Sequence, residues 1–411
     1  MFNQHKNANT QLLYQREAAF RTQPVAPSAV RLPYTSFGFG RDPRRTTDPS
    51  VGNSPLPAPM SCGDAVVQGT IGSILDLRTV GYWLALLYGL PTVHAAVTKQ
   101  PTNVTGVMVH YANAATPTGN GTLTFTAVGT TLAWKAQGDA VAGAAVNVGA
   151  GGRFTLQSDT PNHEIVVHVI AASLPGGNQN DADIAVSATL KAHAFPVNLN
   201  DRPSALLELG HLDAGNNKFY RYLGSMLNEL SYDVMALEQN ISMQLIAGEE
   251  VDPLPGAVWD AAPTGYSSVR ACGHGGLISD GAAGLGKLTG GTFRVNNAME
   301  GVSLGDGQEG YGLVNQGEMA LGGSVKAVFT SGDAYALARA NSTTRMLIQS
   351  SALSGADTFK LVADMPAVQF IEKTVPKEGK SGLFADLDWT AHRLVSGELP
   401  LIYLVSDVPA Y

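Results

Sequence analysis

The most regular feature of the chain is an alternation of apolar and polar residues. Leu230, Tyr232 and Val234 alternate with Glu229, Ser231 and Asp233. Ile241, Met243 and Leu245 alternate with Ser242 and Gln244. A period of two sends successive side chains to opposite faces, so each run predicts a strand with one buried and one wet face. Phe293 and Val295 against Arg294 and Asn296 repeat the pattern. Further strands are expected at 34–40, 65–77, 323–330, 358–363, 367–374, 383–391 and 401–405. Two short helices are expected, Thr79–Leu90 ended by Pro91 and Asp333–Ala340.

Residues 1–33 are polar with scattered prolines and read as an extended arm. Residues 41–60, dense in Pro, Gly and Ser, read as a long loop, and a loop of that length in a compact protein is usually functional. Between 101 and 186 the chain turns rich in Thr, Val, Ala and Gly, with short β-patterned pieces separated by Gly, Pro and Asn turns. That rhythm predicts a small inserted β-sandwich of immunoglobulin-like type, although no Cys–Trp–Cys signature supports the label. With the insert removed, residues 34–100 plus 187–252 and residues 253–411 show the same order: strand, Gly/Pro loop, strand, short helix, long strands. We therefore expect a mainly β protein of two duplicated units, each with one short helix, plus the insert.

Composition narrows the function. The 411 residues are only 15% charged, against roughly 25% in an average soluble protein, which suggests surface covered by neighbouring subunits. The formal net charge of −8 argues against a nucleic-acid binder, which needs a basic stripe to displace phosphate counterions. Cys62 and Cys272 are too few for a disulfide scaffold or a closed zinc site. The first twenty residues carry no apolar core of signal type, so we expect no export and free thiols. The apolar run Val80–Val97 is broken by Gly89 and Pro91 and interrupted by His94, which favours a buried helix over a membrane span.

Motifs for catalysis come close without completing. Gly281–Lys287, GAAGLGK, matches a phosphate-binding loop core. It lacks the following Ser or Thr, and TGGTFRV after it reads as a strand where a helix is needed. His163–His168, HEIVVH, has one residue too many for two ligands on one helical face, and its β-branched residues predict a strand. Cys272 and His274 sit in a Gly-rich stretch with no orienting acid. Asp386 and Asp388 share a strand face, as an acid pair, a metal site or a solvated face would. We expect no enzyme, no metal and no cofactor.

Several segments are similar to the tail tube (major tail) proteins of long-tailed, non-contractile bacteriophages. They are TSFGFGRDP at 35–43, GTIGSILDLRTVGYWLALLYGLPTV at 69–93 and LLELGHLDAGNNKFYRYLGSMLNELSYDVMALEQNISMQLIAGEE at 206–250. In the second half, GGTFRVNNAMEG at 290–301 and GGSVKAVFTSGDAYALARAN at 322–341 carry it. The resemblance implies tail-tube β-sandwich or barrel units whose sheets join between subunits into an inner barrel, with rings stacked into a DNA-conducting tube. It implies a virion tail component assembled in the host cytoplasm. Its partners would be itself, in trimeric pseudo-hexameric or alternatively hexameric rings, with tape measure and tail-tip or terminator proteins, and DNA in transient passage.

On that reading Glu229, Asp233, Asp386 and Asp388 are candidates to face the lumen. Arg41, Arg44 and Arg45 are candidates to reach an adjacent ring. A head decoration or fibre component would share the low charge but form no tube, and a bacterial surface adhesin module would require secretion.

Overall fold

The computed structural model describes residues 10–46, 61–149, 151–169, 175–197, 202–212, 217–255, 258–271, 276–279, 288–304, 310–328, 338–371, 384–394 and 397–411. The chain opens with β1 (Thr10–Arg16), β2 (Val30–Leu32), β3 (Ser36–Thr46) and β4 (Ser61–Ile74), then helix α1 (Val80–Tyr88). The next strands are β5 (Thr92–Val97), β6 (Val107–Ala112), β7 (Gly119–Thr126) and β8 (Thr131–Lys135). β9 (Val146–Asn147), β10 (Arg153–Gln157), β11 (Glu164–Val169) and β12 (Gln179–Phe195) follow. Then come β13 (Ala205–His211), β14 (Lys218–Asp233), β15 (Asn240–Ala247) and β16 (Glu249–Pro255). The last part holds β17 (Gly276–Ser279), β18 (Leu288–Asn296), β19 (Glu300–Val302), β20 (Leu313–Asn315) and β21 (Ala320–Val328). It ends with β22 (Thr343–Ser354), β23 (Asp357–Ile371), β24 (Phe384–His392) and β25 (Leu401–Ser406). The protein is mainly β, with large antiparallel sheets.

Strand pairing repeats itself. β3, β4, β15 and β14 are hydrogen-bonded in that order, and so are β18, β21, β24 and β23. β1 pairs with β13 as β17 pairs with β22, and β16 with β14 as β25 with β23. Even single contacts recur: Phe39 faces Gly69 as Phe293 faces Gly323. Both glycines are needed for close approach, since a Cβ would lie 2.1 Å from the Gly38 carbonyl in one case and 2.0 Å from that of Thr292 in the other.

Each set contains one long strand that changes partners part-way. In β14 the change falls at Gly224, whose φ of 68° is left-handed. In β23 it falls at Pro366, between the residues paired with β25 and those paired with β24. Proline has no N–H for a ladder, so it fits where the ladder is already handed over.

One apolar cluster gathers residues from both sets around α1, whose nine residues are all buried. The helix ends where Asn297 Nδ2 donates to the Leu87 carbonyl at 3.0 Å, satisfying a terminal C=O. α1 is much shorter than the apolar run it begins, because Thr92–Val97 becomes strand β5. No helix of the described residues is long and apolar enough to cross a membrane.

A second apolar cluster, with Trp134, Phe125, Val109 and Val167, consists wholly of residues between Ala95 and Val186. Two strand sets contribute to it, β6–β11–β10 and β12–β7–β8–β9. β12 then runs on past it, and its Lys191–Phe195 segment pairs with β5 on one side and β25 on the other. The strand is therefore continuous across position 186, with a register shift between Val186 and Lys191.

Two segments differ from their expected form. Part of the expected N-terminal arm is strand β1, with Leu12, Leu13 and Tyr14 buried, because β13 offers it a ladder partner. The expected loop from 41 begins as strand: Arg41–Thr46 extends β3 because Ser61–Val67 lies opposite, Arg45 facing Cys62. Asp333–Ala340 falls largely outside the described residues.

Glu17, directly after β1, is 5% exposed and accepts from the Ser204 hydroxyl at 2.6 Å and the Gly224 N–H at 2.9 Å. Burial outweighs those bonds and pushes its carboxyl from 4.5 up to about 7. A raised carboxyl stabilises the fold fully below its unfolded value and loses that contribution as pH rises through about 7. Replacing Glu17 with Gln is expected to flatten the decline in urea midpoint from pH 4.5 to above 7. An unchanged slope would refute that assignment.

Candidate assembly faces and a buried charge cluster

The two four-strand sets form one sheet because β14 pairs antiparallel with β18, from Glu229 opposite Asn296 to Asp233 opposite Thr292. A single row of register partners crosses all eight strands: Ser36, Gly72, Ser242, Ser231, Arg294, Gly322, Thr390 and Gln369. None of these is buried. The adjacent row on the opposite face runs Ser73, Ile241, Tyr232, Phe293, Gly323, Trp389 and Phe370. Its side chains are buried against the core.

Glu229, Asp233, Asp386 and Asp388 all belong to the polar face, since each is an even number of residues from that first row along its strand. Asp233, Thr292, Ser324, Asp388 and Ile371 form a further row, and Lys326 lies opposite Asp386. Asp233, Asp386, Asp388 and Lys326 line one open groove. Glu229 and Asp388 are half-buried, while Asp233 and Asp386 are exposed. The Glu229 carboxylate accepts from Arg294 at 2.6 Å and Asn296 at 3.1 Å. The structure thus brings the four acids together on one face, tempered by Arg294 and Lys326.

Near its other end this face is covered. Hairpin β19–β20 brings Met299, Tyr311 and Val314 against Val66, Met226 and Ile246. Beyond that point β3 and β4 continue past β15 as a two-stranded extension, since β15 pairs only with Val67–Ile74. Arg41 and Arg44 are exposed on this extension, and Arg45 is placed there by its backbone pairing. The Arg41 amide donates to Glu250 at 2.7 Å.

Of the near-miss motifs, HEIVVH and the Asp386–Asp388 pair fall among the described residues. Residues 281–287, Cys272 and His274 lie outside the described residues. In HEIVVH, Glu164–His168 lie in strand β11 with His163 just before it, and the two histidines meet different partners. His163 Nδ1 lies 3.0 Å from Asp139, which several hydrogen bonds, the Ser158 hydroxyl's first, hold down to about 2. His168 is buried beside His110, the rings 6.0 Å apart and nearly parallel.

This second site was not foreseen in the sequence. Asp364 on β23 is fully buried and accepts from Arg345 Nε at 2.8 Å and Nη2 at 2.6 Å. His110 Nε2 lies 3.2 Å away and Arg153 Nη1 at 3.6 Å. Arg345 also donates to Glu398 at 2.9 Å. His110, His168 and Asp364 could geometrically hold a cation. Arg345 nevertheless engages both carboxylate oxygens, and two guanidiniums beside the site oppose a further positive charge. The arrangement is that of a buried ion-pair network. The sequence signal was a charged residue inside an apolar strand, as in LVADMPAV, but its partners are remote along the chain.

A search of curated proteins found no match. The model of the family described as phage tail tube protein matches residues 7–391, and the chain belongs to that family.

Proposed function

We propose that three copies of this chain close into a ring of six tube units, and that rings stack into a hollow tail tube conducting DNA. The β14–β18 seam carries this reading. It joins two equivalent four-strand sheets within one chain, and so supplies a template for joining chains. β3 stands where β18 stands in the second set, yet among the described residues its only ladder partner is β4. β23 stands where β14 stands, and Ile371 at its end is 48% exposed. β22 already pairs with Val368 and Gln369, so the edge offered to the next copy is the end of β23 from Ile371 onward, and its pairing with β3 would extend the sheet from chain to chain.

The polar face then lines the lumen. Its acids repel phosphate and leave DNA free to slide. The β3–β4 extension with Arg41, Arg44 and Arg45 reaches an adjacent ring. Residues 34–100 with 187–252 form the first tube unit and 253–411 the second, with 101–186 projecting outward as an immunoglobulin-like decoration. Tape measure and tail-tip or terminator proteins would be its further partners in the virion.

Electron microscopy of the purified chain, beside a variant lacking 101–186, tests this. Val97 faces Val186 across the ladder, so the retained ends Gln100 and Ser187 flank a paired site that a short turn can close. Both proteins are expected to give hollow tubes with threefold or sixfold rings, the variant without outer protrusions. A monodisperse monomer at high concentration under every salt condition would sink the proposal.

A further inference from the structure

The network around Asp364 straddles two parts of the chain. His110, Arg153 and His168 come from β6, β10 and β11, within the separate apolar cluster's span. Arg345, Asp364 and Tyr403 come from β22, β23 and β25, and Glu398 from the segment before β25. Backbone contacts stitch the same boundary: Arg345 Nη1 donates to the Gly151 carbonyl at 2.7 Å, and Arg153 Nη2 to that of Leu399 at 3.0 Å. A decoration tethered only by its hairpin would need none of this.

We propose that this cluster is an acid-released latch, pinning the 101–186 unit against the second tube unit until His168 takes up a proton. This rests on reading 101–186 as an inserted unit. The charged and titratable groups acting on His168 are Asp364, Arg345, His110 and Arg153. Asp364 and Glu398 are offset by Arg345 and Arg153, while His110 lies alongside and the Tyr403 hydroxyl meets His110 Nδ1 at 3.3 Å. His168 Nε2 is buried without a hydrogen-bond partner.

A proton there adds a positive charge next to two guanidiniums with no acid left to balance it. Burial accordingly pushes His168 down to about 3. The group's folded value lies below its unfolded one, so the neutral latch is secure above the ordinary imidazole range and weakens as pH falls toward about 3. Parting β11 from β22 and β23 admits water to the charge.

Hydrogen exchange of the full chain, corrected for intrinsic rates, tests this from pH 7 down to about 3. In the wild type, amides of β10, β11, β22 and β23 are expected to lose protection together while β4 and β15 keep theirs. His168→Phe keeps a neutral ring and should move that loss down by about one pH unit or more. His168→Leu serves if the larger ring disturbs folding. An unmoved transition in the variant, or loss of protection everywhere at once, overturns the proposal. The readout needs no tubes, so it stands apart from the fate of the ring assembly.

Discussion

Replacing Gly323 with alanine is expected to destabilise the fold by about 3 kcal/mol or more, the upper end of overpacking costs. Gly323 lies on the buried face of β21, opposite Phe293 and Trp389. A Cβ there would meet the Thr292 carbonyl at 2.0 Å and Trp389 Cζ2 at 2.8 Å. The first obstacle is backbone, and the second is a fully buried indole with no room to swing. Relief would require β18 and β21 to part, next to the β14–β18 seam. Gly290→Ala is the control: its nearest neighbour would be Lys326 Cβ at 3.7 Å, an ordinary contact. The expected result is a large fall in urea midpoint for the first variant and almost none for the second. A fall of under about 1 kcal/mol at Gly323 would show that the two strands are less tightly opposed than described.

Much of this sheet could be read in the sequence, for a physical reason. Tyr232, Phe293, Val295, Leu387 and Trp389 alternate with polar residues because each of their strands has one face on the core and one exposed. The four acids were placed on a polar face by that same period, and the register puts them on one common face. α1 was legible because all its residues are apolar and Pro91 follows closely. What failed was anything decided by a remote partner. β1 is polar at its ends and looks like an arm until β13 pairs with it. The continuity of β23 through Pro366 was hidden because proline ordinarily ends a strand. The Asp364 network was invisible for the same reason, since His110 and Asp364 are brought together only by the packing of β6 against β23 and β25.

Breaking that network from one side is expected to cost more than removing it altogether. Arg345→Met leaves Asp364 fully buried with its two short bonds gone, and loss of one partner of a buried pair typically costs about 3–5 kcal/mol. Adding Asp364→Asn removes the stranded charge and is expected to restore more than half of the loss. His110 and Arg153 do not replace Arg345, because they approach a single oxygen, Oδ2, at 3.2 and 3.6 Å. Urea midpoints of the two single variants and the double variant give the coupling directly. If the single Arg345 variant lost under about 1 kcal/mol, water or another cation would have to reach Asp364, and the site would not be the dry junction seen here. If the double variant recovered stability but lost exchange protection in β10 and β11, the ion pair would be shown to fix the pose of the 101–186 unit. That is the role a buried pair can serve when its net contribution to stability is small.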